Sequence, residues 1–425
     1  MKPVLIKGGR IIDPGRNIDC LGNLFIAGGR ISSITGCDSD MPDKDCEVID
    51  AEGMIVCPGF IDFHCHLRQP GFEEKETIAS GSRAAAKGGF TTVCCMPNTN
   101  PPLDSKADID YVKTIATDEG AVRVLPIGCI TKGRKGEELA DMEELARAGV
   151  VAFSDDGDTV MDTNLMQHAM EHSLALGLPI SDHCEDKSYN EEGRGASAAA
   201  EESVIARDIE LARQTGAHIH IAHVSTKGAV ELIRQAKEKG VNITAEATPH
   251  HLTLTQDIVS ECGNMAKVNP PLRTEKDVEA LICGLNDGTI DIVATDHAPH
   301  TDADKQGDFT TAAFGISGFE TALASLMGLV HSGQIDLKTL IAKLTSEPAR
   351  IIGDRFGKLG TLEVGATADV TIFAPDLEWT VDTGEFASKG KNTPLNGKKL
   401  KGRVMATIYN GNIVYKDDCL PIEKG

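Results

Sequence analysis

The segment Pro58-Gly-Phe-Ile-Asp-Phe-His-Cys-His66-Leu-Arg68 starts as an apolar strand and ends in polar side chains. Further short apolar runs follow it, separated by helix-like stretches such as 137–148, 201–215 and 226–239. Eight strand–helix units in about 300 residues predict an α/β fold of the (β/α)8 TIM-barrel type. A doubly wound open sheet is the alternative, although no Gly-rich nucleotide-binding turn follows the first strand. The predicted strands are 55–63, 90–96, 122–130, 150–153, 178–182, 217–222, 241–247 and 290–295.

The two ends of the chain have a different pattern, with short strands separated by Gly, Pro and Asn turns. Residues 1–55 contain several such strands, and residues 359–425 repeat the pattern. The Asn410-Gly411 turn between two apolar runs predicts a β-hairpin. We therefore expect both ends to form one small β-sandwich domain beside a barrel that spans residues 56–358.

Composition restricts the class of protein. The 425 residues carry a formal net charge of −22, which disfavours binding to nucleic-acid phosphates. No apolar run approaches the roughly 18 residues of a membrane helix, and the N-terminus lacks the features of a signal peptide. We expect a cytoplasmic protein without membrane contact, whose 12 cysteines are free thiols with structural roles.

Polar side chains that can ligate a metal follow several predicted strands. His64 and His66 alternate along one strand and therefore share a face, although a His-x-His pair alone is a weak signal. The later strand ends add Asp155 or Asp156, His183, His223 and Asp296. The carboxyl ends of barrel strands meet at one rim, where nitrogen and oxygen ligands would suit zinc.

Four further motifs are His64-Cys-His-Leu-Arg-Gln-Pro-Gly71, Met96-Pro-Asn-Thr99, Val268-Asn-Pro-Pro-Leu-Arg273 and Asp296-His-Ala-Pro-His300. Together they resemble motifs of the amidohydrolase superfamily and, within it, of the bacterial dihydroorotase family. The resemblance covers nearly the whole chain and implies a zinc-dependent hydrolase of cyclic amides. The expected reaction is the reversible cyclisation of N-carbamoyl-L-aspartate to (S)-dihydroorotate and water in pyrimidine (UMP) biosynthesis.

The resemblance also implies a ligand set for up to two zinc ions. His64, His66 and Asp296 would bind one ion, and His183 and His223 the other. Asp156 would bridge them, since the sequence Ser154-Asp-Asp156 stands where many superfamily members carry a carbamylated lysine. Spacing alone does not separate Asp155 from Asp156.

Asp296 is the expected catalytic residue, because it would both ligate metal and transfer a proton. Arg68, two residues beyond His66, could bind the substrate carboxylate through two hydrogen bonds. A surface salt bridge between Arg68 and Glu73 or Glu74 is the alternative. The expected substrate-binding residues, several of them implied only by the resemblance, are His66, Arg68, Asn98, Asn269, His300, Phe314 and Gly315.

For three further features, the sequence leaves the role open or predicts no direct part in the site. Residues 301–313 could form a lid over the substrate or a mobile surface loop. His218 and His220 lie on the opposite strand parity from His223, which predicts that they face the helix layer. His297 is expected to pack or to orient its neighbours.

Two other functions are alternatives to the dihydroorotase hypothesis. A related cyclic amidase, such as a hydantoinase or allantoinase, would fit the fold, but the absent lysine opposes it. A non-catalytic barrel that scaffolds aspartate carbamoyltransferase should have lost metal ligands, and all six are present. The resemblance also implies a homodimer and association with aspartate carbamoyltransferase.

Overall fold

A computed structural model describes residues 2–37, 46–189, 196–420 and 422–424. The chain is mixed α/β with a β-rich region, as the sequence predicted at that level. The strands of the described residues are β1 (Val4–Asp13), β2 (Ile18–Ala27), β3 (Arg30–Thr35), β4 (Glu47–Asp50), β5 (Ile55–Pro58), β6 (Phe60–Cys65), β7 (Phe90–Cys95), β8 (Arg123–Pro126), β9 (Ile180–Asp182), β10 (Ile219–Ile221), β11 (Ile243–Ala247), β12 (Ile292–Val293), β13 (Val370–Thr380), β14 (Lys399–Tyr409), β15 (Asn412–Lys416) and β16 (Ile422–Lys424).

Helices alternate with the central strands, and side-chain caps define where several of them begin. Thr77, Ser197 and Thr226, for example, each accept a backbone N–H of the first helical turn. The α-helices of the described residues are α1 (Ile78–Lys87), α2 (Lys106–Glu119), α3 (Met142–Ala148), α4 (Thr163–Leu176), α5 (Ala198–Thr215), α6 (Lys227–Glu238), α7 (Pro249–Thr253), α8 (Val259–Cys262), α9 (Glu275–Asp287), α10 (Phe319–His331), α11 (Leu337–Leu344) and α12 (Ser346–Ile352).

The β-rich region is a nine-stranded sheet built from both ends of the chain. Its main path runs β15-β14-β13-β5-β1-β2-β3, while β4 pairs with β1 and β16. The predicted hairpin is confirmed, since Asn410 and Gly411 connect antiparallel β14 and β15 with φ of 49° and 76°. Apolar side chains such as Ile6, Ile49 and Ile372 form a separate core under this sheet.

The single predicted strand 55–63 is two strands. β5 belongs to the β-rich sheet, whereas β6 pairs in parallel with β7, so the chain changes sheet at Gly59. A Cβ at Gly59 would lie 2.1 Å from Thr91 Oγ1, so only glycine fits this crossing. Hydrophobicity runs through the junction without a break, which explains why the pattern did not reveal it.

The central strands form two parallel sheets, β6-β7-β8 and β12-β11-β10-β9. Phe153 forms bridges to both Gly128 and Ile180, and His297 forms one to Cys65, so both edges of the two sheets are linked. Asp62 reinforces the second link by accepting hydrogen bonds of 2.7 Å from Thr295 N and Thr295 Oγ1. The side chains that follow these strands are thereby brought to one end of the sheets.

A large apolar cluster lies between the parallel strands and the surrounding helices, with Phe60, Ile180 and Ile219 among its buried members. A smaller cluster joins Ile61 and Phe63 of β6 to Ile351 and Ile352 of α12. In the described residues, no helix has both the length and the apolar character required to cross a membrane.

Candidate metal centre and active site

Two groups of ligand atoms share Asp156. His64 and His66 form one group with it, and His183 and His223 form the other. Asp156 Oδ1 lies 3.4 Å from His64 Nε2, 3.6 Å from His223 Nε2 and 3.7 Å from His183 Nδ1. Asp156 Oδ2 lies 3.6 Å from His66 Nε2. These buried side chains therefore converge on one carboxylate between two candidate metal positions.

Asp296 joins the first group. Its Oδ1 is 3.0 Å from His66 Nε2 and 3.6 Å from His64 Nε2. The backbone at Asp296 has a φ of 45°, a left-handed conformation that aspartate adopts more readily than most residues, and its N–H donates to His64 O. This conformation and contact place the Asp296 carboxylate directly over the two histidines.

The nitrogen and oxygen atoms around Asp156 are suited to binding a metal ion. Atoms bonded to one tetrahedral zinc at about 2.0–2.2 Å lie about 3.3–3.6 Å apart, close to the separations around Asp156. His64 Nε2 and Asp156 Oδ1 are buried without a hydrogen-bond partner, which is costly unless another group satisfies them. Burial opposes ionisation of Asp156, but interactions with His64 and His223 hold its pKa well below the usual range. The chain therefore contains a candidate metal site with charged oxygen ligands.

The outer nitrogen of three histidines is held by a neighbouring acceptor. His64 Nδ1 is 2.6 Å from Glu246 Oε1, and His66 Nδ1 is 2.9 Å from Asn98 Oδ1. His183 Nε2 is 2.8 Å from Glu185 Oε2. Each acceptor requires its histidine to carry the proton on the outer nitrogen, so the other nitrogen presents its lone pair to the cluster.

The structure separates the two adjacent aspartates. Asp155 turns away from the histidines, and its Oδ1 accepts hydrogen bonds from Ile130 N and Thr131 N at 2.8 and 3.1 Å. The neighbouring Asp156 faces the cluster. Asp155 therefore fixes the strand end, and Asp156 is the candidate ligand.

Alanine variants should show this division. Asp155→Ala leaves two buried N–H groups unsatisfied, so we expect it to lower the free energy of unfolding by about 2–4 kcal/mol in urea titrations. Asp156→Ala should instead lower the zinc content measured by atomic absorption, because it removes the shared ligand. A folded Asp156→Ala protein with wild-type metal content would contradict the assignment.

A cavity of about 250 Å³ opens above the cluster. Except for His64, which is fully buried against Asp156, it brings together all the side chains that the sequence predicted for the site. The cavity is lined by His66, Arg68, Asn98, Asp156, Gly157, His183, His223, Asn269, Asp296, Ala298, His300, Phe314 and Gly315.

Arg68 lies at one wall of this cavity. It follows the end of β6 with a left-handed φ of 60°, and its Nε donates to Pro299 O at 3.3 Å. Burial lowers the pKa of Arg68 to about 10, so the guanidinium stays charged at neutral pH. None of its described contacts is an ion pair with Glu73 or Glu74, which leaves its charge available to the cavity.

His300 and the Phe314–Gly315 backbone continue the cavity lining beside Arg68, whose Nη2 lies 3.3 Å from His300 Nε2. His300 Nε2 is 2.8 Å from Phe314 O, and burial lowers its pKa to about 3, so the ring is neutral at pH 7. A Cβ at Gly315 would lie 2.7 Å from Ala298 O, which explains why this wall needs glycine.

The two asparagines are already engaged by other site residues. Besides His66, Asn98 reaches Asp156 through an Nδ2–Oδ2 hydrogen bond of 3.4 Å. Asn269 Nδ2 donates to Glu185 Oε2 at 2.8 Å, and its Oδ1 accepts from Ala196 N. Both amides therefore contact the candidate ligands or, in the case of Asn269, the acceptor Glu185 beside His183, as well as lining the cavity.

Loop 301–313 is tied down in the structure. Lys305 Nζ donates to Asn264 O, Lys267 O and Ala313 O at 2.8–3.2 Å. Lys267 Nζ donates to Thr310 O and Ala312 O and lies 4.2 Å from the Phe314 ring centroid. Two lysine ammonium groups therefore hold the loop against the cavity wall.

The predicted orientation of His220 is wrong. Ile219 and Ile221 pack in the helix-facing core, while fully buried His220 points the other way, 3.1 Å from Glu246 and edge-on to Phe63. Strand β10 ends at Ile221, and His223 has a left-handed φ of 31°. Strand parity therefore does not continue to His223, which removes the basis of the prediction. His297 packs on Phe319, with a ring-centroid distance of 4.1 Å.

Sequence reasoning missed Glu246 and Glu185. Glu246 is fully buried on β11, between Ala245 and Ala247. A lone carboxylate inside an apolar parallel strand needs a buried partner, which is the signal that could have identified Glu246. Burial opposes its ionisation, but contacts with His64 and His220 lower the pKa of Glu246 to about 2.

Solved structures define the broad class. The L-hydantoinase (dihydropyrimidinase) of Arthrobacter aurescens matches the fold with a TM-score of 0.89 at 25% identity, over 100% of this chain and 98% of that one. A dihydropyrimidinase from Brevibacillus agri matches with a TM-score of 0.85 at 23% identity, over 99% and 96% of the two chains. Together with the histidine–aspartate cluster, this fold defines an amidohydrolase.

Sequence comparison gives the family within that class. A dihydro-orotase-like family model matches residues 53–229. The dihydroorotase of Caldanaerobacter subterraneus is 52% identical over 97% of both chains, and that of Aquifex aeolicus is 49% identical over 98% of this chain and 100% of its own. The chain belongs to the dihydroorotase family, which confirms the resemblance of its motifs.

Proposed function

We propose that this chain catalyses the zinc-dependent, reversible cyclisation of N-carbamoyl-L-aspartate to (S)-dihydroorotate and water, a step of pyrimidine biosynthesis. The observation that carries the proposal is the cavity in which a histidine–aspartate cluster lies beside the charged Arg68. Family membership supplies the reaction class, and the cavity supplies groups for both the reacting amide and a substrate carboxylate.

The fold we propose is a closed (β/α)8 barrel over residues 56–358, with a β-sandwich domain made from 1–55 and 359–425. The bridges through Phe153 and His297 support closure of the barrel. Active sites of such barrels lie at the carboxyl ends of the strands, which is where the candidate cluster lies.

In this proposal His64, His66 and Asp296 would hold one zinc ion, His183 and His223 would hold a second, and Asp156 would serve both groups. Zinc at such a site lowers the pKa of water and polarises an amide carbonyl. The protein contributes lone pairs whose direction is fixed by the outer hydrogen bonds of His64, His66 and His183.

Asp296 is the proposed proton carrier. In ring opening it accepts a proton from the attacking water and delivers it to the ring nitrogen as the C–N bond breaks. In the biosynthetic direction it accepts the proton of the carbamoyl nitrogen as that nitrogen attacks the carbon of the carboxylic acid group. It then returns this proton to the hydroxyl of that group, which leaves as water when the C–O bond breaks. Interactions with His66 and His64 overcome the effect of burial and hold the pKa of Asp296 below its usual range, so the resting carboxylate is ready to accept.

The cavity walls are proposed to orient the substrate. Arg68 would pair with the carboxylate that does not react, in a charge-assisted contact. Asn98, Asn269 and His300 would contact the ring amides, and His66 borders the same space. The backbone of Phe314 and Gly315 completes the lining of the cavity.

From the family resemblance we also propose a cytoplasmic homodimer that can associate with aspartate carbamoyltransferase. Light scattering of the purified chain, alone and mixed with that enzyme, checks both assemblies.

The test of function is a substrate comparison on zinc-reconstituted protein. We expect ring opening of dihydroorotate, followed in the ultraviolet, to be faster than ring opening of hydantoin or allantoin. Faster turnover of hydantoin or allantoin would assign a different cyclic amidase. Absence of all turnover, with zinc bound, would favour a non-catalytic barrel.

A further inference from the structure

Glu246 contacts residues of both candidate metal positions. Its Oε1 accepts from His64 Nδ1 at 2.6 Å and from the backbone N–H of His223 at 3.2 Å. His64 belongs to the first group of ligands and His223 to the second. Glu246 is not itself a member of the cluster, but its single carboxylate can therefore influence both groups of candidate ligands.

The second carboxylate oxygen is anchored from behind. His220 Nε2 lies 3.1 Å from Glu246 Oε2, and His220 Nδ1 lies 2.8 Å from Thr244 Oγ1. The same hydroxyl is 2.8 Å from His218 Nε2. This chain of contacts runs along β10 and β11 and fixes the plane of the carboxylate, which is fully buried.

The contacts define which nitrogen of His64 carries the proton. A carboxylate only accepts hydrogen bonds, so the His64 proton must reside on Nδ1. In the neutral ring, His64 Nε2 is then the nitrogen whose lone pair can bind a metal, and it lies 3.4 and 3.6 Å from the candidate ligand atoms of Asp156 and Asp296. The hydrogen bond to His223 N also supports the left-handed backbone that brings this histidine into the cluster.

We propose that Glu246 is a positioning residue shared by both metal positions: it sets the tautomer of His64, holds the backbone of His223, and adds negative charge behind the cluster. The inference deepens the proposed function and rests on its metal assignment. Outer-sphere partners of this kind typically change metal affinity by 10–100-fold when they are replaced.

The variant that tests this is Glu246→Gln. Glutamine keeps the volume but removes the charge, and it replaces one acceptor oxygen by a donor facing His220. Glu320→Gln is the matched control, since the Glu320 side chain is only 3% exposed and accepts from the backbone of Ala387 and Ser388, but contacts none of the candidate ligands.

Zinc affinity would be measured by competition with a chromophoric chelator, and the ligand field by the absorption spectrum of the cobalt-substituted proteins. We expect Glu246→Gln to bind zinc about 10–100-fold more weakly with a shifted cobalt spectrum, while Glu320→Gln matches the wild type. Equal affinity and an unchanged spectrum in Glu246→Gln would overturn the inference.

A second variant covers the case in which Glu246→Gln does not fold. His220→Gln keeps the His64–Glu246 contact but alters its anchor, and we expect a smaller loss of zinc affinity with a shifted cobalt spectrum; no change in either would overturn the inference. Failure of the wild-type chain to bind zinc would overturn the proposed function as well, which distinguishes the two failures.

Discussion

Asp296→Asn should lower kcat for dihydroorotate hydrolysis by about 10²- to 10⁴-fold, the range for loss of a general acid–base group. Asparagine keeps an oxygen ligand near His66 and His64 but cannot accept and return a proton. Burial opposes ionisation, but the contacts with His66 and His64 outweigh it and keep the native carboxylate ionised. The substitution should therefore lower kcat at every pH at which the enzyme works. The measurement is steady-state kinetics in both reaction directions.

The matched control is Asp287→Asn, at the end of α9, where the carboxylate pairs with Arg234. We expect that variant to retain the wild-type kcat. Near-normal turnover by metal-loaded Asp296→Asn would show that another group carries the proton.

Arg68→Met should raise KM for both substrates by about a hundredfold. Two charge-assisted hydrogen bonds to a carboxylate contribute on the order of 3 kcal/mol, and every 1.4 kcal/mol corresponds to a factor of ten. The effect should be large because Pro299 O already orients the guanidinium. The Arg68 side chain therefore loses little conformational entropy when the substrate binds.

Arg234→Met, at an exposed ion pair, is the corresponding control and should leave KM unchanged. Arg68→Lys should recover only part of the loss, because an ammonium group cannot form the same bidentate contact. A wild-type KM in Arg68→Met would place the substrate carboxylate elsewhere in the cavity.

The sequence predicted the alternation of strands and helices, the hairpin at Asn410 and the side chains that gather at the site. These depend on local patterns: hydrophobic periodicity, turn residues and polar residues at strand ends. The family resemblance then added residues, such as Asn269, that no local pattern distinguishes from an ordinary loop asparagine.

The predictions that failed or stayed open depended on backbone geometry. The change of sheet at Gly59 follows from a close approach to Thr91, which hydrophobicity does not record. His220 faces Glu246 because β10 ends before His223, so strand parity could not be extended between them. Spacing did not distinguish Asp155 from Asp156. The structure does, because the Asp155 carboxylate accepts the N–H groups of Ile130 and Thr131.

The central claim is that the histidine–aspartate cluster is a zinc centre that opens and closes the dihydroorotate ring. The most direct test is to remove metal with a chelator and titrate zinc back while recording ring opening and bound metal together. We expect no turnover in the metal-free chain and activity that rises to a plateau by two zinc ions per chain. Turnover that is indifferent to the chelator, or a zinc-loaded chain inert toward both substrates, would contradict it.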